Sequence, residues 1–284
     1  MSTDPTEEDA AASRAVVGGR HLPLAIAVGV AMAALFLASL FWHPVAFTIV
    51  VAVLTALAYV ESHRVMAPIG APLAVPVLIL GTLTMLFGAF QARHTGQIIG
   101  VLVLFLAAIV WQLADRDREQ LVQRLSLTLL FGLWVGFLAS FAVLLVERSP
   151  AGAMGVLAVI GAAILTDIGG YGFGVRFGKH KVAPTISPNK SWEGLIGGLV
   201  VATAGGAFVL PLLDPRFGWE LGVIIALACG LASFVGDLTE SMIKRDLGVK
   251  DLGGLLPGHG GILDRVDGIL VALPVGYFIL EVAL

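Results

Sequence analysis

The stretch LPLAIAVGVAMAALFLASLF, residues 22–41, runs without a single charged side chain. A helix needs about 20 apolar residues to cross the hydrocarbon core of a bilayer, so this stretch predicts a membrane-spanning helix. The same criterion predicts further spans at 44–60, 72–90, 96–114, 125–146, 152–175, 195–213, 219–243 and 264–284. We therefore predict an all-α, polytopic transmembrane helical protein with about nine spans.

The composition supports a location in lipid. Of the 284 residues, 58% are hydrophobic and 13% are charged, which lies far from the make-up of water-soluble domains. The net charge of −3 provides no basic surface for nucleic acid, so no nucleic-acid partner is expected. The single cysteine, Cys229, excludes an intrachain disulfide and is expected to pack in the core.

The basic residues predict the orientation of the chain. With nine alternating spans, 14 of the 17 Lys and Arg residues fall on the side that holds the N-terminus. The other side keeps only Arg93, Arg148 and Arg216. Positive charge collects on the cytoplasmic side of membranes. The N-terminus is therefore predicted to be cytoplasmic and the C-terminus outside, in an integral protein of the cytoplasmic membrane.

The spans suggest a division into three parts. Residues 1–21 are acidic near the start, which is a poor beginning for a cleaved signal, and are expected to form a disordered cytosolic tail. Residues 22–150 are expected to form an N-terminal transmembrane scaffold of five spans. Its charged residues Glu61, His63 and Arg64 lie near the end of a span, where side chains that extend to the membrane surface are the simpler explanation.

Residues 151–284 are expected to form the catalytic transmembrane region, with four spans and cytosolic loops at 176–194 and 244–263. Carboxylates at or within the ends of apolar helices are costly, which makes function the default explanation for them. They are concentrated in this region of the chain.

The densest cluster is GDLTESMIKRDLGVKDLGGLLPGHGGILDRVDG, residues 236–268. Its first polar side chains recur at three- and four-residue spacing and so share one helix face: Asp237, Glu240, Ser241 and Lys244. Asp264 and Asp267 are likewise three residues apart at the start of the last span. Oxygen ligands of this kind suit Mg²⁺ held together with substrate phosphates. The simpler alternative is that the charges only cap a helix and that the glycines form a re-entrant turn.

A second cluster is TDIGGYGFGVRFGKHKVAPTISPNKSWEG, residues 166–194. Asp167 is expected to be buried in the sixth span. The loop after it carries five Lys, Arg or His residues, and the last of them, Lys190, follows a predicted turn around Ser187 and Asn189. Such cations are what a nucleotide triphosphate or a phospholipid head group requires, although they would equally serve as a topology signal.

These residues resemble a known family. The run Ser241-Met242-Ile243-Lys244-Arg245, then Lys250-Asp251, then the stretch LPGHGGI and Asp264-Arg265-Val266-Asp267, is similar to the signature of phosphatidate cytidylyltransferases, also called CDP-diglyceride synthases. The stretch SPNKSWEG, residues 187–194, resembles a secondary motif of that family.

The resemblance implies an enzyme that makes CDP-diacylglycerol and pyrophosphate from CTP and phosphatidic acid, acts as a homodimer, and uses Mg²⁺, with a monovalent cation such as K⁺ as a further candidate beside it. By motif position, Asp237 and Asp264 correspond to the family's metal-binding carboxylates. We predict catalytic roles for Asp237, Asp264, Asp267, Lys244 and His259. We predict substrate binding by Ser187, Asn189, Lys190, Ser241, Arg245, Lys250, Arg265 and Asp167.

Two other functions remain open at this point. A CTP-dependent lipid-alcohol kinase would transfer the γ-phosphoryl group instead. A proton-coupled transporter would use Asp167, Asp237 and Asp264 as relays, although transporters place such charges near the midplane and show repeats, whereas here the charges crowd towards the helix ends.

Overall fold

The computed structural model describes residues 22–115, 119–148, 151–255 and 260–284. The predicted tail at 1–21 and His259 lie outside these ranges. The helices are α1 (Leu22–Trp42), α2 (Pro44–Met66), α3 (Val75–Ala114), α4 (Leu121–Val146), α5 (Gly152–Phe177), α6 (Trp192–Leu213), α7 (Trp219–Asp246) and α8 (Leu263–Ala283). The strands β1 (Lys181–Ala183) and β2 (Ser187–Ser191) lie between α5 and α6.

Within the described ranges, seven helices are long and apolar enough to cross a membrane, and the apolar part of α1, Ala27–Trp42, is a shorter candidate. The structure thus agrees with an all-α polytopic membrane protein. Many large apolar side chains are exposed on these helices, as expected for surfaces that contact lipid.

The longest helix, α3, is broken in the middle. Ala92 (φ −137°, ψ 18°) and Arg93 (φ 50°, ψ −129°) leave the helical region, and a positive φ is uncommon for a residue other than glycine. The two arms fold back on each other so closely that a Cβ atom added to Gly88 would lie 2.6 Å from the carbonyl oxygen of Gly96. The arms correspond in position to the spans predicted at 72–90 and 96–114.

Two apolar cores hold the bundle together, and each draws on both halves of the chain. The first contains Phe47 of α2, Val156 of α5 and Tyr277 of α8. The second contains Leu78 of α3 and Ile243 of α7. Both cores therefore contain residues from the predicted scaffold and from the predicted catalytic region.

The loop predicted at 176–194 is mostly ordered structure. Helix α5 continues to Phe177, and the strands β1 and β2 form an antiparallel hairpin. Ser187 precedes a proline, which disfavours helical dihedrals and favours an extended backbone. Ser191 ends the hairpin and caps α6, since its Oγ accepts a hydrogen bond of 3.1 Å from the backbone N–H of Gly194.

Candidate active site

The end of α7 and the start of α8 meet at two glycines. A Cβ atom added to Gly236 would lie 2.7 Å from the carbonyl oxygen of Asp267, and one added to Gly268 would lie 2.8 Å from that of Ser233. Only glycine permits such a close approach of two backbones. Since Asp237 follows the first glycine and Asp267 precedes the second, the contact brings their side chains together.

Three carboxylates converge beside this contact. One oxygen each from Asp237, Glu240 and Asp267 lies within 4.8 Å of the other two. Glu240 and Asp267 are buried, and Asp237 is partly exposed. Three negative charges at this separation repel one another in a medium of low dielectric constant, so cations beside the cluster stabilise it.

Lys244 supplies one cation. Its Nζ donates to Oε2 of Glu240 at 2.6 Å and to Oδ1 of Asp264 at 2.8 Å. The other oxygen of Asp264, Oδ2, accepts from the backbone N–H of Gly261 at 3.0 Å. Lys244 therefore connects Asp264 to the carboxylate cluster.

The hairpin supplies a second cation. Lys190 of β2 forms an ion pair with Oδ2 of Asp237, and its Nζ lies 4.7 Å above the centre of the Phe234 ring. Arg245 anchors the hairpin from α7, because its Nε donates to the carbonyl oxygen of Ile186 at 3.3 Å. The hairpin is thus held over the carboxylate cluster.

Asp167 approaches the cluster from α5. It lies close enough to Asp237 and Lys190 to interact with both electrostatically. Its side chain is exposed, so the expectation of a buried Asp167 is wrong. Asp167 lies on the face of α5 that is directed towards Asp237 and Lys190, whereas Gly169 packs against α6.

The remaining predicted residues differ in their exposure and in their contacts. Ser241 donates a long hydrogen bond of 3.5 Å to Oδ1 of Asp237. Ser187 and Asn189 lie on β2 with Lys190, and Lys250 is exposed after the end of α7. Arg265 is exposed on the first turn of α8. Their predicted substrate contacts stay predictions, as does the role of His259, which lies outside the described residues.

Two residues outside the predicted set belong to this region. Glu240 completes the carboxylate cluster, and its three-residue spacing from Asp237 is the sequence signal that indicates it. Glu61 of α2 is buried and contacts the backbone at Leu255 and Ile262, which flank the glycine-rich segment 256–261. The expectation that Glu61 extends to the membrane surface is therefore wrong, and no local pattern links it to residues almost 200 positions away.

The residues present fit a divalent cation. Oxygen Oε1 of Glu240 is buried and has no hydrogen-bond donor in the part of the chain that the structure describes. A buried carboxylate oxygen without a donor is costly, and Glu240 belongs to the cluster with Asp237 and Asp267. Oxygen-only ligands suit Mg²⁺. Each oxygen of Asp264, predicted as a metal ligand, already accepts one hydrogen bond, from Lys244 or from Gly261, and keeps a further lone pair for a cation.

A carboxylate cluster flanked by lysines at the joined ends of membrane helices defines a polytopic membrane protein with a site suited to phosphate-bearing substrates. The comparisons with known proteins define it further. The profile of the Cytidylyltransferase family matches residues 24–283, and the chain belongs to that family.

Curated relatives point to one activity within the family. The chain is 37% identical to the phosphatidate cytidylyltransferase of Mycobacterium leprae, over 92% of this chain and 88% of the relative. It is 35% identical to the enzyme of the same name from Mycobacterium bovis, over 92% and 89%. A third, from Brucella suis, is 44% identical over 51% of this chain and 53% of the relative.

Proposed function

We propose that this protein transfers the cytidylyl group of CTP to phosphatidic acid and releases pyrophosphate, which yields CDP-diacylglycerol for phospholipid biosynthesis. The observation that carries the proposal is Lys244, held between Glu240 and Asp264 beside three converging carboxylates, in a chain whose relatives bear this name.

The reaction joins two polyanions. An oxygen of the phosphatidate phosphate attacks the α-phosphorus of CTP, and the bond from that phosphorus to the bridging oxygen of the β-phosphate breaks. Because the attacking phosphate is already ionised near neutral pH, no side chain has to remove a proton. The protein's task is to bring the two phosphates into line and to neutralise their charge.

The side chains divide this task by position. Lys190, partly buried on the hairpin, is placed to hold a phosphate of the nucleotide or of the lipid over Asp237. Lys244, with Arg245 and Lys250, is placed to stabilise the departing pyrophosphate. Asp237 and Asp264, with Glu240 and Asp267 next to them, would hold Mg²⁺, which when bound supplies charge neutralisation at the phosphate oxygens. K⁺ is a candidate for a second cation.

The proposed topology follows from the basic residues. If the two arms of α3 cross separately and α1 also crosses, the chain has nine spans, with its N-terminus in the cytoplasm and its C-terminus outside. The end of α7, the start of α8 and the hairpin then face the cytosol from the cytoplasmic membrane. CTP reaches such a site from water and phosphatidic acid from the inner leaflet. Family resemblance also predicts a homodimer.

Position-specific labels in CTP test the proposal. The purified protein is incubated with Mg²⁺ and with CTP that carries ³²P in either the α- or the γ-phosphate, and the lipid supplied is either phosphatidic acid or a lipid alcohol such as diacylglycerol. Cytidylyl transfer places the α label in the lipid and the γ label in pyrophosphate. A γ label in the lipid would instead establish the lipid kinase. If neither label entered the lipid, the transporter would be the better account.

Asp264→Asn tests the site. We expect it to abolish turnover while the protein still inserts and folds, because the amide weakens both the Lys244 contact and any metal bond. Asp246→Asn is the matched control. Asp246 is an exposed carboxylate at the end of α7 that also carries Lys244, the partner of Asp264. Substantial activity in Asp264→Asn would remove Asp264 from the site.

A further inference from the structure

Glu61 is a buried carboxylate that the proposed chemistry does not use. Its exposed fraction is 6%. Oxygen Oε1 accepts a hydrogen bond of 2.5 Å from the backbone N–H of Leu255, and Oε2 accepts one of 2.8 Å from that of Ile262. A single side chain of α2 thus holds the backbone on both sides of the glycine-rich segment.

The chain around these donors is packed against Glu61. A Cβ atom added to Gly253 would overlap the carboxyl group of Glu61, and one added to Gly261 would lie 3.1 Å from the backbone of Gly253. Both glycines are therefore required for the carboxylate to reach its two donors. A residue that only extended to the membrane surface would need neither.

The contact continues directly into the carboxylate cluster. Ile262, which donates to Glu61, follows Gly261, which donates to Oδ2 of Asp264 at 3.0 Å. The other oxygen of Asp264 accepts from Lys244. Glu61 and Asp264 thus bind successive N–H groups of one backbone stretch, so a shift of that stretch changes the position of Asp264.

We propose that Glu61 is a positioning residue for the cytidylyl transfer proposed above. By fixing Leu255 and Ile262, it sets the place of Gly261, and so the orientation of the Asp264 carboxylate towards Lys244 and the metal. It does not itself contact the substrate. The N-terminal half of the chain thereby contributes a side chain to the geometry of the site.

Glu61→Gln is the sharpest variant, because it preserves the size of the side chain. It replaces one acceptor oxygen by an NH₂ group that faces a backbone N–H, so one of the two hydrogen bonds is lost. Gly253→Ala tests the same contact from the other side. Glu220→Gln is the matched control, because Glu220 is an exposed carboxylate at the opposite end of α7.

The rate of CDP-lipid formation is measured against Mg²⁺ concentration for the full-length protein and each variant. Loss of a hydrogen-bonding partner behind a metal ligand typically costs about 10- to 100-fold in metal affinity or activity. We expect Glu61→Gln and Gly253→Ala to raise the Mg²⁺ concentration for half-maximal rate by about tenfold, and Glu220→Gln to leave it unchanged. A merely structural role would lower the amount of active protein without moving this concentration.

Hydrogen–deuterium exchange of the unmodified protein provides a readout that needs no activity. The amides of Leu255 and Ile262 should be protected, and Glu61→Gln should remove the protection of the one amide whose hydrogen bond is lost. Rapid exchange at both amides in the unmodified protein would overturn the proposal, as would a folded variant with an unchanged Mg²⁺ dependence. If Glu61→Gln fails to fold, Gly253→Ala and the exchange data still decide. Failure of the unmodified protein to form CDP-lipid would instead refute the proposed function.

Discussion

Gly236→Ala tests whether the close contact of α7 and α8 assembles the carboxylate cluster. The added Cβ atom would lie 2.7 Å from the carbonyl oxygen of Asp267, 2.9 Å from Cα of Gly268 and 3.0 Å from Cγ2 of Val271. Carbon atoms pack comfortably at about 3.5–4.0 Å, so the helices must separate by roughly 0.6–1 Å. Overpacking of this kind costs about 1–3 kcal/mol of stability.

The separation moves Asp237 away from Asp267, and a misplacement of about 1 Å at a reacting centre costs on the order of 100-fold in rate. We therefore expect a folded protein that makes CDP-lipid about 100-fold more slowly. The assay follows the α label of CTP into lipid, with thermal unfolding as the check on folding.

Gly161→Ala is the control for this prediction. Gly161 lies on α5 within the membrane, and a Cβ atom added to it meets nothing within 4 Å. Alanine there should preserve the rate and improve helix stability by about 0.5–1 kcal/mol. If folded Gly236→Ala retained more than half of the normal rate, the glycine contact would not be what sets the geometry of the cluster.

Three further changes test other parts of the site. Lys244→Met should lower the free energy of unfolding by about 3–5 kcal/mol, because it leaves the buried carboxylates without this cation, whereas Lys244→Arg should lower it less. If chemical denaturation showed the same loss of free energy for both variants, this reasoning would be contradicted. Lys190→Gln should raise KM for one of the two substrates about tenfold, the equivalent of 1.4 kcal/mol, and an unchanged KM for both would place Lys190 outside substrate binding. Arg245→Ala removes the hydrogen bond to the hairpin, worth about 0.5–1.5 kcal/mol, so limited proteolysis should cut the hairpin faster, and an unaltered cleavage pattern would argue against the anchor.

Helix spacing explains why much of the site could be predicted from the sequence. Residues three, four or seven apart on a helix share a face, and Asp237, Glu240 and Lys244 do so in α7. The Lys244–Glu240 ion pair confirms this placement. The pairing of α7 with α8 was also within reach, because both ends carry charges that are costly in lipid.

Other features had no local signal. Strands of three and five residues within a cation-rich loop are too short to show alternation, so the hairpin that carries Lys190 was expected to be a loop. The contact of Glu61 with Leu255 joins residues 194 positions apart. Such a contact depends on how α2 packs in the finished bundle, which no spacing rule describes.

This distance in sequence has a consequence for how the protein is made. Glu61 enters the membrane with the second helix, whereas Leu255 and Ile262 are synthesised roughly 200 residues later. At about 5–20 residues per second, the acid spends some 10–40 s without its final partners. An uncompensated carboxylate is unstable in hydrocarbon, so during biogenesis this end of α2 has to stay hydrated or protected by the insertion machinery until the last helix arrives.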